Sequence, residues 1–333
     1  MPVTPLHDAH HDGLFFMVTD KYTKPALSIN QQIEFLANQG LIIKDHALAH
    51  HALSTVSYYR FSGYLLPFKL PHNGSRPRQF KDQITFEQIW QLYQFDRELR
   101  LIVSDAIEKI EIAFRTALSN VTSIELHPFW YIDPFHFKAA KCNKAGRTKE
   151  LRQKKAFFEE HMENIKKISK NKQEIFIQHY HQKYKEPEYP PIWMIIESIS
   201  FGSCSKMYQN IQSIAIRNEI ASYLGQHATV IESWIRSLTY SRNLCAHHAR
   251  LWNRWFVSPP LVPKNDPCRD YFLPNENYRF HLIAYVIQRL LEKISPEFNW
   301  KQDLFNLFEK FEVYPGKEMG FQSNWRVDKF WDI

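Results

Sequence analysis

An all-helical fold is what this sequence predicts, and three observations carry the prediction. Its 333 residues include nine glycines against 25 Phe, 16 Tyr and nine Trp, a balance unlike that of a strand-rich sandwich, which needs many glycine-containing turns. Apolar residues recur at 3.6-residue spacing over long segments. Capping residues stand where those segments begin. With 44% hydrophobic residues, the chain has enough apolar surface for one large core or two modest ones.

Taken in order, residues 1–24 hold two prolines and no period, and read as a loose lead-in. SINQQIEFLANQGLI then places Ile29, Ile33, Leu36 and Ala37 on one helical face, with Ser28 as N-cap and Gly40 as the stop. A second helix follows from His46 to Val56. YYRFSGYLLPF (Tyr58–Phe68) gathers aromatics around Arg60, and PHNGSRPRQF reads as a loop, which closes an N-terminal helical region at 25–80.

Thr85 opens the strongest helix, with Gln88 completing a capping box and no Gly or Pro before Pro128. Phe86, Ile89, Trp90, Tyr93, Leu99, Ile102, Val103, Ala106, Ile107, Ile110, Phe114 and Ala117 keep its apolar period. Arg97, Arg100, Ser104, Glu108, Glu111 and Arg115 form a polar stripe at steps of three and four. Such a stripe is either a solvated face or a polar wall beside a groove. After the aromatic connector HPFWYIDPFHF, residues 138–172 carry twelve Lys/Arg against four acids. EPEYPP breaks the helical pattern, IWMIIESISFGSCSKMYQNI resumes it with a kink or end expected near Gly202, and a short helix through Ile220–Leu224 stops at Gly225. The main helical domain is expected to span 81–295, with 138–172 as a basic insertion and 296–333 as a tail packing on it.

The formal net charge is +7, so polyanions, and nucleic acid first, are the partners to expect. The basic insertion alone has a surplus of eight, which leaves the remainder nearly neutral. Cys142, Cys204, Cys245 and Cys268 are too widely spaced for a zinc site and too few for a disulfide framework, which fits a reducing cytoplasm. No secretory leader and no run of about 18 apolar residues is seen, so no membrane association is expected. The His10/His11 and His50/His51 pairs lack a third ligand at helical spacing. No metal and no cofactor is expected, and no glycine-rich phosphate loop occurs.

The chemistry concentrates in SRNLCAHHARLWNR (Ser241–Arg254). Ile231, Ile235 and Leu238 form an apolar stripe whose next step is Arg242. A guanidinium there must meet an anionic or polar partner. Asn243, His247 and Arg250 follow at steps of four and three, and form a polar ridge if the helix continues. A phosphate-gripping fork, an amide and an imidazole titrating near neutrality are the groups that RNA cleavage by a ribose 2′-hydroxyl needs. A single histidine does not supply both acid and base, so a second copy in a homodimer is expected to complete the site.

The Arg242-Asn243 pair followed by His247 resembles the arginine-to-histidine motif of HEPN ribonucleases. Together with LSINQQIEFLANQGLII, YYRFSGYLLPF, QFDRELRLIVSDAIEKIEIAFRT, HPFWY, RNLCAHHARLWNR and the late MGF…W, most of the chain resembles the bacterial Abi-like abortive-infection proteins of the AbiD/AbiF group. The resemblance implies a HEPN-like helical bundle with an N-terminal helical extension, a role in phage defence and a toxin-like endoribonuclease activity. It implies that Arg242 positions phosphate, that His247 is acid or base, and that Asn243 orients the histidine or the scissile phosphate, with His248 and Arg250 as auxiliaries. RNA is expected as substrate, or as a bound non-coding partner of a protein whose motif is silent. Tyr59, Arg60, Arg97, Arg100, Lys154, Lys155, Lys166 and Lys167 are further candidate RNA contacts.

Overall fold

The structure, a computed structural model, describes residues 25–71, 78–138, 149–171, 174–266, 268–269, 272, 278–313, 315–321 and 330–331, with the backbone alone for 149–156. The lead-in at 1–24, with His10 and His11, lies outside them, as do Cys142 and the Lys154 and Lys155 side chains. The described residues form thirteen α-helices with three isolated bridges and no β-strand, so the chain is all-α. It divides into two compact units, Met1–Trp90 and Gln91–Ile333.

In the first unit α1 (Ile29–Ala37) begins at Ser28 with a reciprocal capping box to Gln31. α2 (His46–Val56) is capped by Asp45, whose carboxylate accepts the Leu48 amide at 2.9 Å. α3 (Tyr58–Leu65) follows at once. Ile33, Leu36, Leu53, Phe61, Tyr64 and Phe86 form the core of the unit, with the Phe61 and Phe86 rings 4.9 Å apart. Tyr59 does not join it: 89% of its surface stays exposed.

α4 (Phe86–Glu125) is one uninterrupted helix of 40 residues, opened by the Thr85–Gln88 capping box that the sequence predicts. In the second unit its buried face meets α8 (Phe201–Asn210) through Phe114, which lies edge-on to Phe201 and Tyr208. It also meets α12 (Trp300–Lys310), where Trp300 donates its indole N–H to the Ile102 carbonyl at 3.0 Å. α5 (Lys149–Ser169) and α6 (Ile175–Lys183) both pack against α7 (Ile192–Ser198). The break between α7 and α8 comes at Ile199–Ser200, not at Gly202, because the Ser200 hydroxyl caps α8 by accepting the Ser203 amide. Gly202 sits inside α8, where an added Cβ would lie 3.5 Å from Thr239.

α9 (Ile214–Ser222) leads to α10 (Ala228–Ala246), which packs on α8, α9 and α11 (Phe280–Ile294). Every residue from Phe280 to Ile287 is buried. Glu292 and Lys293 near its end are exposed, so only the first half of α11 is buried all round. His281 is the polar exception. Its ring sits between the Gly320 carbonyl, 3.1 Å from Nδ1, and the Trp331 indole N–H, which donates to Nε2 at 2.8 Å. These contacts fix the neutral tautomer with its proton on Nδ1. Gly320, the left-handed C-cap of α13 (Gly316–Met319) at φ 83°, has to be glycine: a Cβ would come within 2.5 Å of Arg279 Cβ.

Burial lowers the His281 pKa to about 3, so the unfolded chain takes up the proton more readily than the folded one. The stability contributed is whole above about pH 6.5 and is lost as pH falls towards 3, by at most about 1.4 kcal/mol per pH unit. Thermal unfolding measured between pH 7 and 4 should show this slope. His281→Phe should be less stable at pH 7 by about 1–3 kcal/mol, for stranding the Trp331 N–H and the Gly320 carbonyl, and should have the shallower acid limb.

Candidate active site

The polar stripe of α4 is a wall against the end of α10, and it begins one residue earlier than Arg97. Asp96 is fully buried, and its carboxylate accepts from Arg100 at 2.5 Å, from the Leu251 amide at 3.1 Å and from the Trp252 amide at 2.7 Å. A carboxylate removed from water requires such company. Arg100 in turn reaches the Ala249 carbonyl at 3.5 Å. One helical turn on, the Ser104 hydroxyl is hydrogen-bonded to the Cys245 thiol, which burial pushes up to about 11. Further along, Glu111 is shared. Its Oε1 takes Nε of Arg115 at 3.1 Å, and its Oε2 lies 3.9 Å from Nε of Arg242. The partner that an arginine on an apolar stripe demands is therefore Glu111.

Arg242 is held at the surface, with 47% of its side chain exposed. Its NH1 points to the neighbouring Asn243 Oδ1 at 3.4 Å. Asn243, His247 and His248 are exposed beside it. The Asn243 side chain thus meets the arginine, and its tie to His247 is through the backbone, by the His247 amide to the Asn243 carbonyl at 3.0 Å.

α10 stops at Ala246, which separates Arg250 from the predicted ridge. His247 is the C-cap, and His248 has φ 55°, the left-handed conformation. The Ala249 amide bonds back to the Leu244 carbonyl at 2.8 Å and the His248 amide to the Cys245 carbonyl at 2.9 Å, the paired closure of a Schellman ending. Glycine usually occupies the position that His248 holds, so this histidine carries a local backbone cost of about 1 kcal/mol. Beyond it the chain is pinned. The Arg254 Nε donates to the Arg250 carbonyl at 2.5 Å, and the half-buried Arg250 directs NH2 at the Asn253 carbonyl at 3.5 Å. Asn253 accepts from Arg279 at 2.8 Å.

The structure thus gathers Arg242, Asn243, His247 and His248 at one helix end, and leaves Arg250 in the loop that supports them. Of the outlying candidates, Arg97 is exposed on α4, whereas Arg100 is turned inward and its guanidinium is occupied by Asp96 and Ala249. Lys166 lines a groove described below, and Lys167 pairs with Glu163 at 3.2 Å. Tyr59 and Arg60 are exposed on α3, in the other unit. Among the described residues no group of three or more His, Cys, Asp or Glu is placed to hold a metal ion, so His50 and His51 gain no third ligand. Asp96 and Glu111 are the residues that sequence reasoning undervalued. The signal for Asp96 is its spacing of four from Arg100.

A family model described as Abi-like protein matches residues 51–253. The matched segment ends at Asn253, so it takes in both Asp96 and the loop that Asp96 holds. Neither a curated protein nor a solved structure matches the chain.

Removing the buried carboxylate with Asp96→Ala should cost about 3–5 kcal/mol of stability in urea unfolding. Asp96→Asn should cost less, because a carbonyl oxygen remains to accept an amide. At position 248 two variants that both lack the imidazole isolate the backbone. His248→Gly should be more stable than His248→Ala by about 1 kcal/mol, and equal stabilities would show that the left-handed turn is unstrained.

Proposed function

The chain belongs to the Abi-like protein family, and from that premise we propose that it acts in abortive infection, the defence against phage, as a metal-independent endoribonuclease of the HEPN type. The observation that carries the reading is the placement of Arg242, Asn243 and His247 together on the exposed end of α10, with Glu111 3.9 Å from the arginine. Arg242 supplies the cation that neutralises charge growing on the phosphoryl oxygens. Asn243 restrains that guanidinium. His247 moves a proton, either from the 2′-hydroxyl that attacks phosphorus or to the departing 5′-oxygen.

Among the described residues a single copy of the site sets its guanidinium and two adjacent imidazoles on one helix end, with Glu111 engaged by two arginines. On this reading a second copy of the chain completes the site in a homodimer, and the protein works in the cytoplasm. Among the described residues no helix is long and apolar enough to cross a membrane.

The test is cleavage of single-stranded RNA in the presence of EDTA. Wild-type protein should cut, and the products should end in a cyclic phosphate or a 3′-phosphate. His247→Ala and Arg242→Ala should each lose at least about a hundred-fold in rate with unchanged helical content. Undiminished cutting by the His247 variant would sink the assignment.

A further inference from the structure

We propose that a groove between the end of α5 and α6, remote in sequence from the motif on α10, holds the sugar–phosphate backbone of a single RNA strand. It deepens the reading above, on which it rests only for naming RNA as the strand. The groove encloses about 1060 Å³ and is open along one side. Three lysines line it, Lys166 from α5, Lys170 just past the end of α5 and Lys185 from the segment after α6, against one carboxylate, Glu188. Among the described residues none of the three lysines makes an ion pair, and all three are exposed. Ammonium groups left without carboxylate partners, and converging on one concavity, are an electrostatic site for a polyanion.

The geometry favours a strand over a small phosphate ester. The Lys170 amide bonds back to the Lys166 carbonyl at 3.2 Å, so the two lysines stand one helical turn apart, displaced along the axis by about 6 Å, a step suited to successive phosphates of an extended chain. Its volume is at the upper limit of ordinary small-ligand pockets, about 300–1,000 Å³. The floor is firm. The His181 Nε2 lies 3.0 Å from both the hydroxyl and the carbonyl oxygen of Ser169, which ties α6 to the end of α5. The Tyr180 hydroxyl donates to the Pro187 carbonyl at 2.7 Å and pins the segment that carries Lys185. Ile177 and Tyr189 line the apolar part of the groove.

Lys167 supplies an internal control. It is adjacent to Lys166 and has the same charge, but it pairs with Glu163 and lines a different, smaller cavity with Glu160. A bulk-charge effect treats the two lysines alike, whereas a groove does not.

The experiment uses full-length protein carrying His247→Ala, so that no strand is cut, and follows the fluorescence anisotropy of a labelled oligouridine between about 50 and 200 mM salt. Replacing Lys166, Lys170 and Lys185 together by alanine should reduce the slope of log K against log salt by about 2, at roughly 0.7 per lost contact to a single strand. Affinity near 0.1 M salt should fall by about ten- to a hundred-fold. Lys167→Ala should leave both quantities as they were. An unchanged slope in the triple variant, or an equal loss from Lys167→Ala and Lys166→Ala, overturns the proposal. So does displacement of the oligonucleotide by an equal concentration of uridine monophosphate, which marks a nucleotide pocket. Groove-dependent binding by a wild-type protein that does not cut RNA supports the groove and rejects the ribonuclease reading, so the two stand or fall apart.

Discussion

The buried carboxylate of Asp96 is the contact on which the candidate site depends. It is a fully desolvated anion satisfied by one guanidinium and two backbone amides, and those partners serve two tasks. Arg100 keeps the pair neutral inside the bundle. The Leu251 and Trp252 amides fix the chain just after the two histidines. Breaking a buried pair by removing one partner typically costs about 3–5 kcal/mol, a large part of the roughly 5–15 kcal/mol that holds a domain folded. That dependence lets a surface loop with a left-handed histidine be held in one geometry. Without an anchor, the local cost at His248 would be relieved by fraying of the helix end.

The same wall explains the reactivity of the groups beside it. Cys245 lies within the motif, but burial raises its thiol to about 11, and Cys204 on the buried face of α8 is raised to about 12. Both stay protonated near neutrality and are poor nucleophiles. The groups left to act in water at the end of α10 are Arg242, Asn243 and the two imidazoles. The wall thus sorts the residues of one short segment into those that pack and those that face solvent.

What the sequence made legible was local. The N-cap at Ser28, the capping box at Thr85 and the bounds of α2 follow from side chains within four residues of one another, so the text alone contains them. The 40-residue α4 was readable because its apolar period never lapses. The end of α10 was not, since SRNLCAHHAR has no Gly or Pro to stop a helix. The stop comes from His248 adopting a conformation that glycine normally takes, under the pull of amide bonds to Asp96 some 155 positions earlier. Asp96 itself was hidden for the same reason. A lone acid beside Arg97 looks like part of a solvated stripe until the chain that buries it is in place.

Charge at the proposed catalytic end raises a problem that the rest of the molecule has to solve. Arg115 and Arg242 share Glu111, and Arg100 is balanced by Asp96, so the wall under the motif is close to neutral. Such a site has a placed cation, and placement is what transition-state stabilisation requires. Gathering a polyanion from solution depends instead on several uncompensated cations acting over roughly a Debye length. The chain keeps that surplus elsewhere, in the basic segment from Lys138 to Lys172, whose lysines 166 and 170 open onto the α5–α6 groove. Division of labour follows from the physics. Cations crowded against Arg242 would raise affinity at the expense of the orientation that Glu111 imposes, so attraction and aim are better placed on separate helices.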